Sequence, residues 1–380
     1  MASEKRCLLV ITGAFDLDGG IAASSRLAIY ALCAAGYAID IFAFNESADS
    51  AARYAALPSV RYWGANNHKA AFTVAVLRAV LTRRYAFAFS DHINVASILA
   101  PLALLGMIHY VVRVHLIEAI APYLDMQGKL GLRFASRIQA SEFARSEVLK
   151  TFPKLQIDPV ALSLPPDVNF ALTETWSNPA IELQSVDGQN RALDGRMILL
   201  VGRMTAAEQY KGQDVLIQAM PLILERCPAA QLVLAGQGDD FPRLLSLAQT
   251  QPGEISARIF MPGFVSREQL DVLYQTCIVF AMPSRGEGFG VVFLEAMRWA
   301  KPCLGSRLDA AQYLIVHEQT GLLVDDPQSP REVADALLRI LNDPQLARAY
   351  GQKGYELVQQ NYRFDRFRER FLQSLSMAEP

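Results

Sequence analysis

Short apolar runs alternate with helix-length stretches along most of the chain. Cys7–Thr12 and Ala38–Phe44 are continuous hydrophobic runs of the kind found in buried parallel strands. The residues between them, from about Ile21 to Ala35, have helical length and are followed by Gly36, a residue that favours a helix C-terminus. A strand, a helix and a second strand in this order predict a βαβ unit, which requires a parallel sheet and a right-handed crossover.

The same alternation continues to about residue 170 and starts again at residue 197. In the first half we predict a helix at Ala71–Leu81, a strand at Ala86–Ser90, a helix at Val95–Leu105, a strand at Ile108–Val114, and short strands at Arg137–Ala140 and Val160–Leu164. In the second half we predict strands at Met197–Val201, Gln231–Ala235, Arg258–Phe260, Ile278–Met282 and Cys303–Gly305, with helices at Val215–Glu225, Phe241–Ala248, Arg267–Gln275, Phe289–Ala300, Ser329–Asn342 and Pro344–Gln360. The expected fold is α/β, with two Rossmann-like βαβ domains whose ligand-binding edges can face one another across a cleft.

Between the two halves, residues 171–196 are polar, rich in turn residues and weakly periodic, which is typical of an interdomain linker. We therefore predict an N-terminal domain over residues 1–170, a linker over 171–196 and a C-terminal domain over 197–362.

The amino-acid composition excludes several classes of protein. The 380 residues are 52% hydrophobic and 19% charged, which excludes a disordered chain, and the net charge of −2 gives no support to nucleic-acid binding. None of the five cysteines lies in a CxxC pair, so we expect buried thiols in a reducing compartment. The first apolar run is interpreted as a strand rather than a signal peptide, which favours a cytoplasmic location.

The segment from Ile93 to Val112 contains no Asp, Glu, Lys or Arg and is long enough to span a bilayer. It also contains Pro101 and Gly106, which divide it into a helix and a buried strand. We favour that second interpretation.

The segment PSRGEGFGVVFLEAM, which begins at Pro283, joins a predicted strand to a predicted helix. Its three glycines allow close approach of backbone to a ligand, and the first turn of a helix attracts anions. Glu287 and Glu295 lie on either side of this turn. Carboxylates placed there can accept hydrogen bonds from sugar hydroxyls, whereas a pair outside such a loop would be ordinary surface charges.

A second loop follows the strand that ends at Val201. Arg203 lies at the end of that strand, and Lys211 directly precedes a helix. A cation at a helix N-terminus opposes the helix dipole unless an anion such as a diphosphate lies between them. Arg203 can bind the same anion as a bidentate fork.

These two loops resemble those of the retaining GT-B glycosyltransferases of family 4, and the resemblance extends over roughly residues 197–342. The other matching segments are LVLAGQGDD, FMPGFVSREQLDVLY and TGLLVDD. The resemblance implies that Arg203 and Lys211 bind the donor diphosphate, that Glu287 reaches the donor sugar and that Glu295 holds the ribose. Further donor contacts are implied at the following positions: Gly263, Phe264 and Val265 near the base, and Gly288, Phe289, Gly290 and Val291 near the sugar and phosphates.

The N-terminal half is similar to the family more loosely. Gly19 and Gly20 match its glycine loop near the donor phosphate and acceptor, and His115 matches its active-site histidine, with His92 as a rival one strand earlier. The resemblance also implies that a helix within residues 363–380 packs back on the N-terminal, acceptor-binding domain. The apolar positions of that helix recur at i, i+4 and i+8, as one buried face requires.

Two departures from the family pattern stand out. Asp309–Tyr313 replaces the family's glycine-glycine-x-Pro-Glu segment, and there is no Asp-x-Asp metal motif. Asp239 and Asp240 are interpreted as a turn and a helix cap, so we expect neither metal nor resident cofactor. Gly236–Gly238 forms an isolated GxG, which is only weak support for NAD binding.

The implied activity is transfer of a hexosyl group from a UDP- or GDP-linked sugar to a sugar or lipid-linked acceptor, in polysaccharide or glycolipid biosynthesis. The alternative is a non-catalytic sugar-nucleotide-binding or scaffolding subunit, followed by a phosphorylase or epimerase on the same architecture. Lys129, Arg133 and Arg137 follow helical spacing. A solvated helix face is the favoured interpretation, and peripheral contact with anionic lipid at the inner membrane surface is the alternative.

Overall fold

The computed structural model describes residues 5–16, 19–120, 124–168, 181–193 and 196–376. The chain divides into two compact units. Unit 1 comprises Met1–Asp167 and Tyr362–Pro380, and unit 2 comprises Val168–Asn361. Each unit is built around a parallel sheet, with seven strands in unit 1 and six in unit 2. The expected α/β class with two Rossmann-like βαβ domains is therefore confirmed.

The sheet of unit 1 has the strand order β3-β2-β1-β4-β5-β6-β7. Its strands are β1 (Arg6–Ile11), β2 (Ala38–Ala43), β3 (Val60–Gly64), β4 (Ala88–Ser90), β5 (Tyr110–Val114), β6 (Arg137–Ala140) and β7 (Ile157–Pro159). The helices that precede the boundary are α1 (Gly20–Ala34), α2 (Ala51–Ala55), α3 (Lys69–Thr82), α4 (Ile93–Ala96), α5 (Ala100–Leu104), α6 (Met126–Arg133) and α7 (Glu142–Thr151).

Unit 2 contains a hairpin of β8 (Glu182–Gln184) and β9 (Asn190–Ala192) and a sheet in the order β12-β11-β10-β13-β14-β15. The sheet strands are β10 (Met197–Val201), β11 (Gln231–Ala235), β12 (Ile259–Gly263), β13 (Val279–Ala281), β14 (Cys303–Ser306) and β15 (Gly321–Val324). The helices are α8 (Gln213–Arg226), α9 (Phe241–Gln249), α10 (Gly253–Ser256), α11 (Arg267–Thr276), α12 (Val291–Met297), α13 (Ala311–Leu314), α14 (Pro330–Leu341) and α15 (Pro344–Asn361).

The last helix, α16 (Phe364–Ser376), returns to unit 1 and packs against α1 and β6. Phe367, Phe371 and Leu375 are buried, as their i, i+4, i+8 spacing predicts. The Phe371 ring lies 5.3 Å from that of Phe89 on β4. The side chain of Ser374 donates a hydrogen bond of 2.6 Å to Asp158 on β7.

The predicted linker over residues 171–196 is wrong where it can be compared with the structure. Residues 181–193 contain the β8–β9 hairpin, and Val186 N–H donates to the carbonyl of Ile259 on β12. This part of the segment therefore extends unit 2. The rest of it lies outside the described residues, except for Arg196.

Two predicted elements of unit 1 also differ. The apolar segment from Ile93 to Val112 is divided among α4, α5 and the start of β5, since α5 begins anew with Pro101 in its first turn. The strand predicted at Val160–Leu164 is instead β7, three residues earlier. None of the helices in the described part of the chain is long and apolar enough to cross a membrane.

Candidate active site

The order in which successive strands are added to the sheet of unit 2 reverses between β10 and β13. These two strands are neighbours in space although β11 and β12 lie between them in sequence. Ligands of open parallel sheets bind at this kind of position, outside the carboxyl ends of the strands. Arg203 lies two residues after β10, and the segment that starts at Pro283 lies two residues after β13. Both loops singled out in the sequence therefore meet at the topological switch point of unit 2.

The two loops are in direct contact. Gly212, with φ of 86°, precedes α8, and a Cβ atom there would lie 2.7 Å from the carbonyl oxygen of Pro283. Arg285 N–H donates a hydrogen bond of 2.9 Å to the carbonyl of Tyr210. A glycine is therefore required at residue 212 by its backbone conformation and by the proximity of the second loop.

Four charged side chains form a cluster between these loops: Arg203, Glu208, Lys211 and Glu287. Lys211 Nζ lies 2.7 Å from Glu287 Oε1 and 3.9 Å from Glu208 Oε2, and Arg203 pairs with the other oxygen of Glu208. The side chains of Lys211 and Glu287 are only 12% and 15% exposed, whereas that of Arg203 is 56% exposed. The structure thus brings together three of the four predicted catalytic residues.

Glu208 is a member of this cluster that the sequence analysis missed. Its Oε2 is buried and has no hydrogen-bond partner among the described residues. Its position five residues after one predicted phosphate-binding cation and three before the other was the available signal. Glu208 supplies a negative charge where the resemblance places a diphosphate.

Gly236 and Gly238 belong to the support of the Arg203 loop. They have φ values of 148° and 157°, and Cβ atoms would lie 1.9 Å from the carbonyl oxygen of Gly202 and 2.2 Å from that of Met204. Met204 N–H also donates to the carbonyl of Gln237 at 2.9 Å. The GxG is therefore explained by close loop packing, and nothing more is needed to account for it.

The adjacent acidic pair has structural partners. Asp239 accepts a hydrogen bond of 2.8 Å from Ala206 N–H. Asp240 occupies the N-cap position of α9 without capping it, and instead pairs with Arg243, whose hydrogen bonds lower the pKa of that carboxyl. In the described ranges no group of three or more His, Cys, Asp or Glu side chains is arranged to hold a metal ion. The expectation of a metal-independent site stays a prediction.

Glu295 lies on α12 and already has two partners. The Tyr274 hydroxyl donates a hydrogen bond of 3.0 Å to Glu295 Oε2, and Arg267 Nη1 lies 3.5 Å from Oε1. α12 begins at Val291 rather than at Phe289, because Gly290 has a φ of 84° that interrupts the helical backbone. Gly288, Phe289 and Gly290 therefore form the loop before the helix.

The residues predicted near the base lie between β12 and α11. Gly263 ends β12 with a φ of 74°, Phe264 is 70% exposed and Val265 is half-buried. The same connection leads into Arg267, which reaches Glu295. The structure therefore links the predicted base-binding loop to the predicted ribose-binding carboxylate.

Unit 1 has its own switch point between β1 and β4. Gly19, with φ of 118°, is the N-cap of α1, and Gly20 is its first residue. A Cβ atom at Gly20 would meet nothing within 4 Å. The two glycines thus lie beyond the carboxyl end of β1, and their contact with a ligand stays a prediction.

A buried carboxylate holds the loop between β1 and these glycines. Glu46 is 1% exposed, and its Oε1 accepts hydrogen bonds from the N–H groups of Ala14, Phe15 and Asp16 at 2.8, 2.7 and 3.0 Å. Its Oε2 accepts a hydrogen bond of 2.6 Å from the Tyr54 hydroxyl. Three successive N–H groups converging on one oxygen form an anion-binding nest that this side chain fills.

His115 directly follows β5, and its N–H donates to Glu118 at 2.6 Å. Its Nε2 is buried and has no partner among the described residues. Burial lowers the pKa of His115 to about 3, and nearby Arg113 and His92 add to the effect. The imidazole is therefore neutral at physiological pH. His92 instead accepts a hydrogen bond from Asn94 N–H and caps α4.

The predicted basic helix face does not include all three of its residues. Lys129 and Arg133 lie on α6, but Arg137 belongs to β6 and pairs with Asp158 at 3.6 Å. The helix ends at Arg133, so the i, i+4, i+8 spacing does not continue along one helix.

Comparison with known proteins finds sequence similarity over the C-terminal half. Residues 185–357 match the family model of glycosyl transferases group 1. An uncharacterized glycosyltransferase of Methanocaldococcus jannaschii is 37% identical over 174 residues, which are 46% of this chain and 42% of that protein. A GDP-mannose-dependent α-(1-6)-phosphatidylinositol monomannoside mannosyltransferase of Mycobacterium tuberculosis is 35% identical over 162 residues, 41% of each chain. The matched segments thus span about two fifths of these relatives.

Solved structures match over nearly the whole chain. Sucrose-phosphate synthase from Thermosynechococcus elongatus has a TM-score of 0.77 at 22% identity, covering 98% of both chains. Anabaena HepE in complex with UDP-glucose has a TM-score of 0.76 at 17% identity, covering 98% of this chain and 99% of that one. The chain therefore has the GT-B fold of these structures, and its residues 185–357 are similar to glycosyl transferases group 1.

Proposed function

We propose that the protein is a glycosyltransferase that moves a hexosyl group from a nucleoside diphosphate sugar to an acceptor hydroxyl and retains the anomeric configuration. The observation that carries the proposal is the cluster of Arg203, Glu208, Lys211 and Glu287 at the switch point of unit 2, inside the group 1 domain. We assign the product to polysaccharide or glycolipid biosynthesis.

Leaving-group stabilisation is the main electrostatic contribution in this proposal. The diphosphate gains negative charge as the sugar departs, and Arg203 and Lys211 supply two positive charges from one loop. Preorganised cations that act where charge develops contribute strongly to catalysis. On donor binding, Lys211 exchanges its contacts with Glu208 and Glu287 for contacts with the diphosphate.

The two carboxylates of the glycine-rich segment have separate roles. Once Lys211 binds phosphate, Glu287 is released to accept hydrogen bonds from the donor sugar. Glu295 holds the ribose hydroxyls from α12, and Gly263, Phe264 and Val265 contact the base. Gly288, Phe289, Gly290 and Val291 present backbone groups to the sugar and phosphates.

The acceptor is assigned to unit 1, with Gly19 and Gly20 at the start of α1. His115 contributes there as a neutral imidazole, because burial lowers its pKa to about 3. A neutral ring can donate or accept a hydrogen bond at a sugar hydroxyl but carries no charge. Its orphaned Nε2 supports this assignment.

We propose UDP or GDP as the donor nucleotide, since HepE was solved with UDP-glucose and the mycobacterial relative is GDP-mannose-dependent. A sugar or lipid-linked acceptor fits a cytoplasmic enzyme with peripheral membrane contact. Exposed apolar side chains at Leu104, Leu105 and Met126 support that contact, together with Lys129 and Arg133 on α6. We propose no nucleic-acid partner.

The decisive experiment is a donor panel. UDP-, GDP- and ADP-linked hexoses are first screened by thermal shift, where a ligand at a hundred times its Kd stabilises by about 2.7 kcal/mol. The stabilising donors are then followed by NMR for hydrolysis or transfer, which also reports the anomeric configuration of the product. Stabilisation without turnover would support the alternative, a non-catalytic sugar-nucleotide-binding subunit. Inversion would contradict the retaining mechanism.

The same assay tests cofactor independence. We propose that activity needs no resident metal or organic cofactor, because Arg203 and Lys211 provide the charge at the leaving group. Activity should survive dialysis against EDTA. Loss of turnover that is restored by Mn²⁺ or Mg²⁺ would contradict this part of the proposal.

A further inference from the structure

The segment that departs from the family pattern contacts the loop that carries Glu287. We propose that Asp309 is a positioning residue that fixes the backbone of Glu287 and thereby aims the Glu287 carboxylate. This inference rests on the function proposed for Glu287, but the contact itself can be tested without turnover.

The carboxylate of Asp309 is fully buried and gathers hydrogen bonds from three directions. Its Oδ2 accepts from Glu287 N–H at 3.1 Å and from the Ser284 hydroxyl. Its Oδ1 accepts from Ala311 N–H at 3.0 Å. One side chain therefore ties the loop after β13 to the start of α13.

The carbonyl of Glu287 is held by the next residue. Ala310 N–H donates to Glu287 O at 3.1 Å. Both backbone hydrogen-bonding groups of Glu287 are thus fixed by two consecutive residues, 309 and 310. With the backbone fixed, the freedom left to Glu287 is that of its side chain, which reaches Lys211.

The electrostatics of the site favour a positional role over a stabilising one. Among the described residues, the hydrogen bonds to Asp309 come from neutral donors, and no ion pair compensates its charge. Burial raises the pKa of Asp309 to about 6, against the lowering effect of those hydrogen bonds. A buried charge without a counter-charge costs stability, so its presence here is best explained by the geometry it imposes on the loop.

The contacts of Asp309 bear on the departure from the family pattern at Asp309–Tyr313. That departure favours the alternative of a non-catalytic sugar-nucleotide-binding protein. In the structure the first residue of that segment supports a predicted catalytic residue. In this chain the altered segment therefore anchors the backbone of Glu287.

The first experiment measures amide hydrogen exchange over residues 284–289 in the wild-type chain and in Asp309→Asn. We expect faster exchange in the variant, because Asn offers one acceptor oxygen in place of two. Asp40→Asn is the matched control, since Asp40 is also a buried aspartate but belongs to unit 1. Unchanged exchange over 284–289 in Asp309→Asn would overturn the proposal. If that variant does not fold, Ser284→Ala removes the hydroxyl donor that shares Asp309 Oδ2 with Glu287 N–H, and faster exchange over 284–289 is again expected because the Asp309 carboxylate is held less firmly.

The second experiment is a kinetic double-mutant cycle with Asp309→Asn and Glu287→Gln. The single Asp309→Asn change should lower kcat by about tenfold to a hundredfold, the range expected for a hydrogen bond to a charged group. If Asp309 acts through Glu287, the double variant should be no slower than Glu287→Gln alone. Additive losses would overturn the positioning role. A wild-type chain that turns over no sugar nucleotide would contradict the proposed function, while the exchange result would still decide the Asp309 contact.

Discussion

Lys211 and Glu287 form an ion pair of 2.7 Å although 76 residues separate them in the sequence. One comes from the loop after β10 and the other from the loop after β13. The cation assigned to the donor phosphates is therefore paired with the carboxylate assigned to the donor sugar. Donor binding in the proposed function is therefore an exchange of ionic partners.

Lys211→Met should lower kcat by about a hundredfold or more at saturating donor, because the diphosphate loses a preorganised cation as its charge develops. Arg203→Ala should act in the same direction. Lys353→Met, an exposed lysine on α15, is the control and should behave like the wild type. An unchanged kcat in both Lys211→Met and Arg203→Ala would remove the leaving-group role.

Glu287→Gln and Glu295→Gln should separate turnover from binding. Glu287→Gln should mainly reduce kcat, since its carboxylate is assigned to the sugar, whereas Glu295→Gln should mainly raise the Kd for the nucleotide alone. Calorimetry with UDP and GDP, run beside steady-state kinetics, measures both. The exposed Glu254→Gln serves as the control. Wild-type behaviour of both site variants would contradict the assignment.

Glu208→Gln should bind the free nucleoside diphosphate more tightly than the wild type. The change removes a carboxylate that pairs with both Arg203 and Lys211, and the gain should be about threefold to tenfold, or about 1 kcal/mol. Titration calorimetry at low and high salt measures it, with the exposed Glu225→Gln as the control. Weaker binding would show that Glu208 holds the cations in place rather than competing with the ligand.

Asp309 should make a pH-dependent contribution to stability. Its folded-state pKa of about 6 is above the ordinary value of 3.8, so between these values the folded state binds more protons than the unfolded state. Stability from this group therefore falls as pH rises from about 4 to about 6. The Tm of Asp309→Asn minus that of the wild type should increase over this interval. A constant difference from pH 4 to pH 7 would contradict the raised pKa.

Phe371→Ala should destabilise the chain by about 3–5 kcal/mol, because the ring is fully buried between α16 and the sheet of unit 1. Denaturant unfolding monitored from unit 1 measures the loss. Leu105→Ala, which changes a side chain that is 72% exposed, should alter stability by less than about 0.5 kcal/mol. Equal stability of Phe371→Ala and the wild type would contradict the packing of α16.

Much of the fold was predictable because its strands are continuous apolar runs. β10 and β11 have the predicted bounds, and α14 differs by one residue at each end. Parallel strands buried on both faces carry a strong local signal, and helices between them have characteristic length. The candidate site residues Arg203 and Glu287 could be singled out for a related reason, since they lie in the loops that follow such strands.

The elements that were missed lack that local signal. β8 and β9 have three residues each, of which only Leu183 and Ala192 are apolar, and they form where the hairpin pairs with itself and reaches β12. α6 contains Gly128 and Gly131, which weaken its helical propensity. A Cβ atom at Gly131 would lie 2.1 Å from the carbonyl oxygen of Ile93, so the glycine serves contact with α4. Tertiary packing decides these positions.

The hydrogen-bond and ion-pair partners of the site residues could not be predicted from the sequence either. Asp309 and Glu287 are 22 residues apart, and nothing in the local pattern states that one carboxylate binds the other's backbone. The local sequence likewise does not show that Glu208 pairs with both Arg203 and Lys211. Long-range hydrogen bonds depend on where loops end in space, which apolar periodicity does not encode.

The return of α16 to unit 1 has a consequence for synthesis of the chain on the ribosome. Unit 2 is continuous in sequence, whereas unit 1 is completed only by residues that follow it. Phe89 and its neighbours on the sheet can therefore pack against Phe371 only after nearly 200 further residues, Val168–Asn361 of unit 2, have been translated. During that interval the apolar surface of unit 1 that Phe371 covers in the finished chain is exposed. Unit 2 can fold as soon as it emerges, so the second domain in the sequence is the first that can reach its complete structure.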